Sequence, residues 1–83
     1  MLTESKIETM QGLCVVALTK HLMDRFKVQQ DRAYAKLILT ELYKLLMDSD
    51  TRLYLETNDY LCTALDKEID AGIEELYDYI NKE

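Results

Sequence analysis

The chain has little of the material from which tight turns are usually built. Among its 83 residues there is no proline, no tryptophan and only two glycines, Gly12 and Gly72. The turn chemistry of an all-β fold and a glycine-rich phosphate-binding loop are therefore both missing. The longest uninterrupted apolar run, residues 13–18, is far short of the roughly 20 residues that span a bilayer. We expect neither a β-sandwich nor a barrel, and no contact with a membrane.

Cysteine and histidine are scarce as well. Cys14 and Cys62 lie far apart in apolar stretches, where a free cysteine behaves as a small hydrophobe. The N-terminal residues show no basic segment ahead of an apolar one, so we expect a reducing, cytoplasmic location without a disulfide scaffold. His21 is the single histidine, and Asp24 lies within helical reach of it, but we expect a partly buried or surface histidine at the edge of the first helix. Cys14 and His21 are two helical turns apart, roughly 10 Å, which is too far for a catalytic dyad. We predict no catalytic residue, no cofactor and no metal ion.

Charge is distributed unevenly along the chain. The total is −6, but residues 1–47 carry seven basic and five acidic side chains, whereas residues 48–83 carry three basic and eleven acidic ones. Affinity for nucleic acid rests on neutralising phosphates with Lys and Arg, so generic nucleic-acid binding is not expected. The acidic half indicates either a solvated surface or a surface complementary to a basic protein partner.

Helical periodicity runs along the first half of the chain. With Thr3 or Ser5 as its cap, the first apolar series predicts a helix from about Lys6 to Phe26. Gly12 lies inside that helix, and we interpret it as a point of close approach by another helix. After a polar connector, a second helix is predicted by one apolar face, formed by Tyr34, Leu37, Ile38, Leu42, Leu45 and Leu46.

The second half shows two further helical patterns after a turn at residues 48–51, where Ser49 or Asp50 is the expected N-cap. The third helix would carry Leu53, Tyr54, Tyr60, Leu61, Ala64 and Leu65. A fourth would begin near Asp66 and bury Ile69, Ile73, Leu76, Tyr77 and Ile80, although residues 60–70 could also continue as one helix. Short amphipathic helices are stable only when packed together. The sequence therefore predicts an all-α fold: one small antiparallel helical bundle of about four helices over residues 1–83, with homodimerisation as a way to bury more apolar surface.

Acidic residues and tyrosines provide the candidate binding residues. The C-terminal carboxylates lie beside a regular apolar stripe, which indicates a solvated face or a docking surface rather than a catalytic pair. Tyr43 and Tyr79 fall outside their apolar stripes and are expected to be exposed, and tyrosine is enriched in interfaces. The predicted partner-binding residues are Tyr43, Tyr79, Asp66, Asp70, Glu74, Glu75 and Asp78.

The span 34–80 also carries Leu53-Tyr54-Leu55, Asp59-Tyr60-Leu61-Cys62-Thr63 and a closing acidic helix, residues 73–80. In these features it resembles a family of small bacterial helical domains of uncharacterised function. Members often have a His-Thr pair where this chain has Cys62-Thr63. The resemblance implies a gene neighbour that encodes an ADP-ribosyltransferase-like protein, and hence a toxin–antitoxin or immunity-like pairing. It implies no catalytic residue.

Two functions follow as hypotheses. The first is a non-enzymatic protein–protein interaction module, an antitoxin-like or regulatory partner of a neighbouring enzyme, whose acidic C-terminal helix faces basic groups of that enzyme. The alternative is a dimeric DNA-binding regulator that presents Arg32 and Lys36 of the second helix to a major groove.

Overall fold

A computed structural model describes residues 3–82, and within that range every regular element is helical. The helices are α1 (Glu4–Phe26), α2 (Gln30–Leu37), α3 (Glu41–Met47), α4 (Asn58–Ala71) and α5 (Ile73–Ile80), with two 3₁₀ turns, Ser49–Thr51 and Leu53–Leu55, between α3 and α4. The all-α prediction is confirmed. The predicted count of about four helices is only roughly right, because two helices, α2 and α3, take the place of the predicted second helix.

The predicted first helix corresponds to α1, and the side chain of Thr3 sets where it begins. The Thr3 hydroxyl accepts a hydrogen bond from the backbone N–H of Lys6 at 3.2 Å, so the helix begins at Glu4 rather than at Lys6. It ends at Phe26 as predicted, because Lys27 adopts a left-handed conformation with φ of 55°.

The predicted second helix is in fact two helices that meet at a corner, residues 38–40. Thr40 caps α3 by accepting from the backbone N–H of Tyr43 at 3.1 Å. The carboxylate of Glu68, on α4, accepts from the backbone N–H groups of Glu41 at 2.8 Å and Leu42 at 2.9 Å. These bonds satisfy donors that a helix N-terminus otherwise leaves unpaired, which stabilises the break.

The predicted third and fourth helices are displaced along the chain. Leu53 and Tyr54 are buried, but they lie in a 3₁₀ turn, and α4 begins only at Asn58 after its cap Thr57. Asp66 lies in the middle of α4 rather than at a helix start, which confirms the alternative that residues 60–70 continue as one helix. The real break is at Gly72, whose φ of 96° belongs to a region that favours glycine.

Eight fully buried leucines from α1, α2, α3, α4 and α5 form the centre of the core: Leu18, Leu22, Leu37, Leu42, Leu46, Leu61, Leu65 and Leu76. Their burial is the main source of stability in a chain of this size. α1 packs against both α2 and α4, and α5 packs against α4. None of the helices within residues 3–82 is both long enough and apolar enough to cross a membrane.

Several packing predictions are wrong, including the burial of Tyr34, Ile38 and Ile69, which are exposed. Gly12 faces away from the core, and a methyl group placed on it would meet no atom within 4 Å, so no helix of the same chain approaches it closely. Tyr77 is 36% exposed rather than buried, and Ile73 is 50% exposed. The reason in α5 is the break at Gly72: the apolar stripe does not continue across it, and Leu76 alone of the α5 residues reaches full burial.

Candidate protein-interaction surface

A group of charged side chains joins α1 to α4. The Nε2 atom of His21 lies 2.9 Å and 3.0 Å from the two carboxylate oxygens of Asp66. One guanidinium nitrogen of Arg25 donates to Asp66 at 2.7 Å, and another donates to Asp70. His21 is half-buried, and the carboxylate that reaches it comes from the neighbouring helix rather than from Asp24.

The electrostatics of this group follow from its geometry. Partial burial of Asp66 acts to raise the pKa of its carboxyl, but hydrogen bonds from His21 and Arg25 outweigh that effect and hold the pKa below its ordinary value. The hydrogen bond to Asp70 and, to a smaller extent, the one to Asp66 raise the pKa of Arg25. Asp66 and Asp70 thus already have cationic or hydrogen-bonding partners within the chain.

The remaining predicted carboxylates lie on α5 and are differently placed. Glu74, Glu75 and Asp78 are all exposed, and within residues 3–82 none of their carboxylates takes part in an ion pair or a hydrogen bond. On this helix Glu74 and Asp78 lie one turn apart, and so do the exposed Ile73 and Tyr77. We call these five residues, 73–75, 77 and 78, the α5 surface. It consists of an apolar row, Ile73 and Tyr77, an adjacent row of carboxylates, Glu74 and Asp78, and Glu75 next to that second row.

The α5 surface is held firmly on the domain. Leu76 is fully buried beneath it, and the Tyr77 hydroxyl donates to a carboxylate oxygen of Glu41 at 2.6 Å. That bond, followed by burial, raises the pKa of Tyr77. Leu39, which is 83% exposed, lies two residues before Glu41 at the α2–α3 corner. The hydrogen bond of Tyr77 thus connects α5 to Glu41 at the start of α3, next to the α2–α3 corner, while α5 also packs against α4.

Tyr43 and Tyr79 are not the exposed residues that the sequence predicts. Both are half-buried and pack against the core. The ring of Tyr79 lies 5.0 Å from that of Tyr60, and the ammonium group of Lys67 lies 5.9 Å from its centre. A hydrogen bond with Tyr34, followed by burial, raises the pKa of Tyr43. The exposed tyrosine of α5 is instead Tyr77. Its exposure could have been predicted only by taking Gly72 as the helix break, since that changes which side of α5 faces the core.

Residues 3–82 contain no group of three or more His, Cys, Asp or Glu side chains that could hold a metal ion. Burial raises the pKa of both thiols, and the sulfur of Cys14 lies 3.8 Å from the backbone oxygen of Tyr54. A raised pKa keeps a cysteine in the thiol form, which is the unreactive one.

Comparison of the chain with protein-family models, with curated proteins and with solved structures gave no significant match.

Proposed function

We propose that the protein is a non-enzymatic protein–protein interaction module that binds a basic partner through the α5 surface. The observation that carries the proposal is the combination on one helix of three exposed, unpaired carboxylates with the exposed side chains of Ile73 and Tyr77. Protein interfaces commonly have an apolar centre and a polar rim, and their tyrosines are frequent hot spots.

Of the five carboxylates that the sequence predicts as binding residues, two are paired within residues 3–82 and three are not. Asp66 and Asp70 hold α1 and α4 together, so the docking role that the sequence assigns to five carboxylates falls to Glu74, Glu75 and Asp78. A cluster of like charge accelerates the approach of an oppositely charged partner and fixes its orientation. The apolar row would then supply the contact that holds the complex together.

The proposed partner is an ADP-ribosyltransferase-like enzyme encoded beside this protein, as the family resemblance implies. The module would act by occlusion, covering basic groups around the entrance to that enzyme's site. A basic rim is what the unpaired carboxylates of α5 require.

The test is affinity capture of the tagged full chain from a native lysate at low and at high salt, with bound proteins identified by mass. We expect one stoichiometric basic protein that is lost at high salt. The distance over which exposed charges attract each other is about 8 Å at physiological ionic strength and becomes shorter as salt is added. The variant Glu74→Gln/Glu75→Gln/Asp78→Asn should lose that protein. The control Glu4→Gln/Glu8→Gln/Asp50→Asn makes the same change of charge at exposed sites elsewhere and should retain it. Equal loss from both variants, or capture that ignores salt, would reject the α5 surface.

The alternative function, a dimeric DNA-binding regulator, rests on Arg32 and Lys36. Both are exposed on α2, and the ammonium group of Lys36 lies 5.3 Å from the ring centre of Phe26. A mobility-shift assay with a random-sequence duplex at low salt separates the two functions. Retardation that Arg32→Ala abolishes would favour the regulator, whereas no shift at all would reject it.

A further inference from the structure

One side of α1 carries a short symmetric pattern: Lys6, Leu13, Ala17 and Asp24. Their spacings along the helix are seven, four and seven residues, and such spacings return to nearly the same side of an α-helix. The two apolar residues are in the middle, and the two opposite charges are at the ends. The midpoint of the pattern is Val15.

All four residues are available to another molecule or lie at the edge of an opening. Lys6 and Asp24 are exposed, and within residues 3–82 neither forms an ion pair. Leu13 is 65% exposed. Ala17 is half-buried and lines an open groove of about 520 Å³ together with apolar residues such as Leu13 and Tyr54 and with the exposed Lys20.

The charges at the two ends are of the wrong sign for an isolated helix. Lys6 lies in the first turn of α1, where the partial charge of the helix terminus is positive, and Asp24 lies in the last turn, where it is negative. Within residues 3–82 neither charge is paired with an opposite one, although Glu4 and Arg25 in the same two turns do match the helix dipole. Such an arrangement becomes favourable where each charge meets an opposite one from outside.

We propose that this side of α1 is the interface of an antiparallel homodimer whose two-fold axis passes level with Val15. About such an axis, each α1 residue of one copy faces the residue of the second copy that is equally distant from Val15 in the opposite direction along the sequence. Leu13 of one copy then faces Ala17 of the second copy and enters the groove beside it, and Lys6 faces Asp24 of the second copy at both ends. Two-fold symmetry makes every contact occur twice.

The charges of Lys6 and Asp24 favour a second copy of this chain as the partner and an antiparallel arrangement of the two α1 helices. A parallel pair of α1 helices would place Lys6 against Lys6 and Asp24 against Asp24, so the pattern is self-complementary only when the helices are antiparallel. The interface lies on α1 and is separate from the α5 surface, so it goes beyond the proposed function and stands or falls without it.

The test is sedimentation equilibrium of the full chain over a series from about 10 µM to about 1 mM, concentrations that cover a weak dimer. Lys6→Asp and Asp24→Lys should each raise the dimer dissociation constant about tenfold, because each puts like charges at both ends of the interface. The double variant Lys6→Asp/Asp24→Lys should restore the wild-type value. Each single change improves the match of α1 with its own helix dipole, so loss of dimer cannot be ascribed to loss of fold.

Two further variants test the apolar part. Leu13→Ser should abolish dimerisation, whereas Leu39→Ser, at another exposed leucine, should leave it unchanged. The variant Glu74→Gln/Glu75→Gln/Asp78→Asn should dimerise as the wild type does, which separates this proposal from the binding of a basic partner. A wild type that is monomeric up to about 1 mM, or a double variant that fails to restore what either single reversal loses, would overturn the proposal.

Discussion

Replacement of Asp66 by Asn should destabilise the domain in a way that depends on pH. Asp66 is 34% exposed and is contacted by His21 and Arg25, both from α1. Partly exposed ion pairs contribute about 0.2–1 kcal/mol each, and hydrogen bonds to charged groups somewhat more. We therefore expect Asp66→Asn to cost about 1–2 kcal/mol at pH 7, which for a domain of this size lowers Tm by roughly 5–10 °C.

The direction of the pH effect follows from the lowered pKa of Asp66. A carboxyl whose pKa is lower in the folded chain than in the unfolded chain binds protons more readily once unfolded, so its contribution is complete above the ordinary aspartate pKa of about 3.9. That contribution is lost as the pH falls through the lower pKa of the folded state. The difference in stability between wild type and Asp66→Asn should thus shrink as the pH falls below about pH 4.

The assay is urea unfolding followed by far-ultraviolet circular dichroism at several pH values, at a protein concentration low enough to keep the chain monomeric. Asp24→Asn is the matched control, because Asp24 is the carboxylate nearest His21 in sequence but has no ion pair within residues 3–82. It should change the free energy of unfolding by less than about 0.5 kcal/mol. If Asp24→Asn cost as much as Asp66→Asn, or if the cost of Asp66→Asn did not fall at acid pH, the account of this group would be wrong.

Three further predictions concern the backbone and the helix ends, and each is checked by the free energy of unfolding in urea. Gly12→Ala should stabilise the domain by about 0.5–1 kcal/mol, because Gly12 is exposed in the interior of α1 with open space around it; a loss would mean that another chain or helix contacts it. Gly72→Ala should destabilise by about 1–2 kcal/mol, because a φ of 96° strains a residue with a Cβ, and a neutral result would place the break elsewhere. Glu68→Ala should cost about 1–2 kcal/mol through loss of the cap on α3, with Glu8→Ala, at an exposed site beyond the first turn of α1, as a near-neutral control; equal effects would contradict the capping role.

The fold class and α1 could be predicted from the sequence because their determinants are local. The apolar series of α1 and the capping hydroxyl of Thr3 lie within the helix itself or next to it. The break between α2 and α3 could not be predicted, because apolar side chains keep helical spacing across the corner. Part of what stabilises the corner is Glu68, which is distant in sequence and reaches it only once α4 has packed.

The boundary between the last two helices shows a different limit. Acidic residues after Asp66 are typical of a helix start, but here they continue α4, and the break is set by the backbone freedom of Gly72. Moving that boundary turns α5 so that Tyr77 faces outward and Tyr79 packs inward. For this reason Tyr79, which the sequence predicts to be exposed, is half-buried, and the exposed tyrosine of α5 is Tyr77.

The central claim, that the α5 surface recruits a basic protein, is tested most directly by the rate at which the captured partner associates with the purified domain. The rate constant should be measured over a range of salt for the wild type, for Glu74→Gln/Glu75→Gln/Asp78→Asn and for Glu4→Gln/Glu8→Gln/Asp50→Asn. The account predicts that association of the wild type and of the control slows clearly as salt rises, and that the α5 variant associates slowly at every salt concentration. Equal rates and equal salt dependence for all three proteins would contradict it.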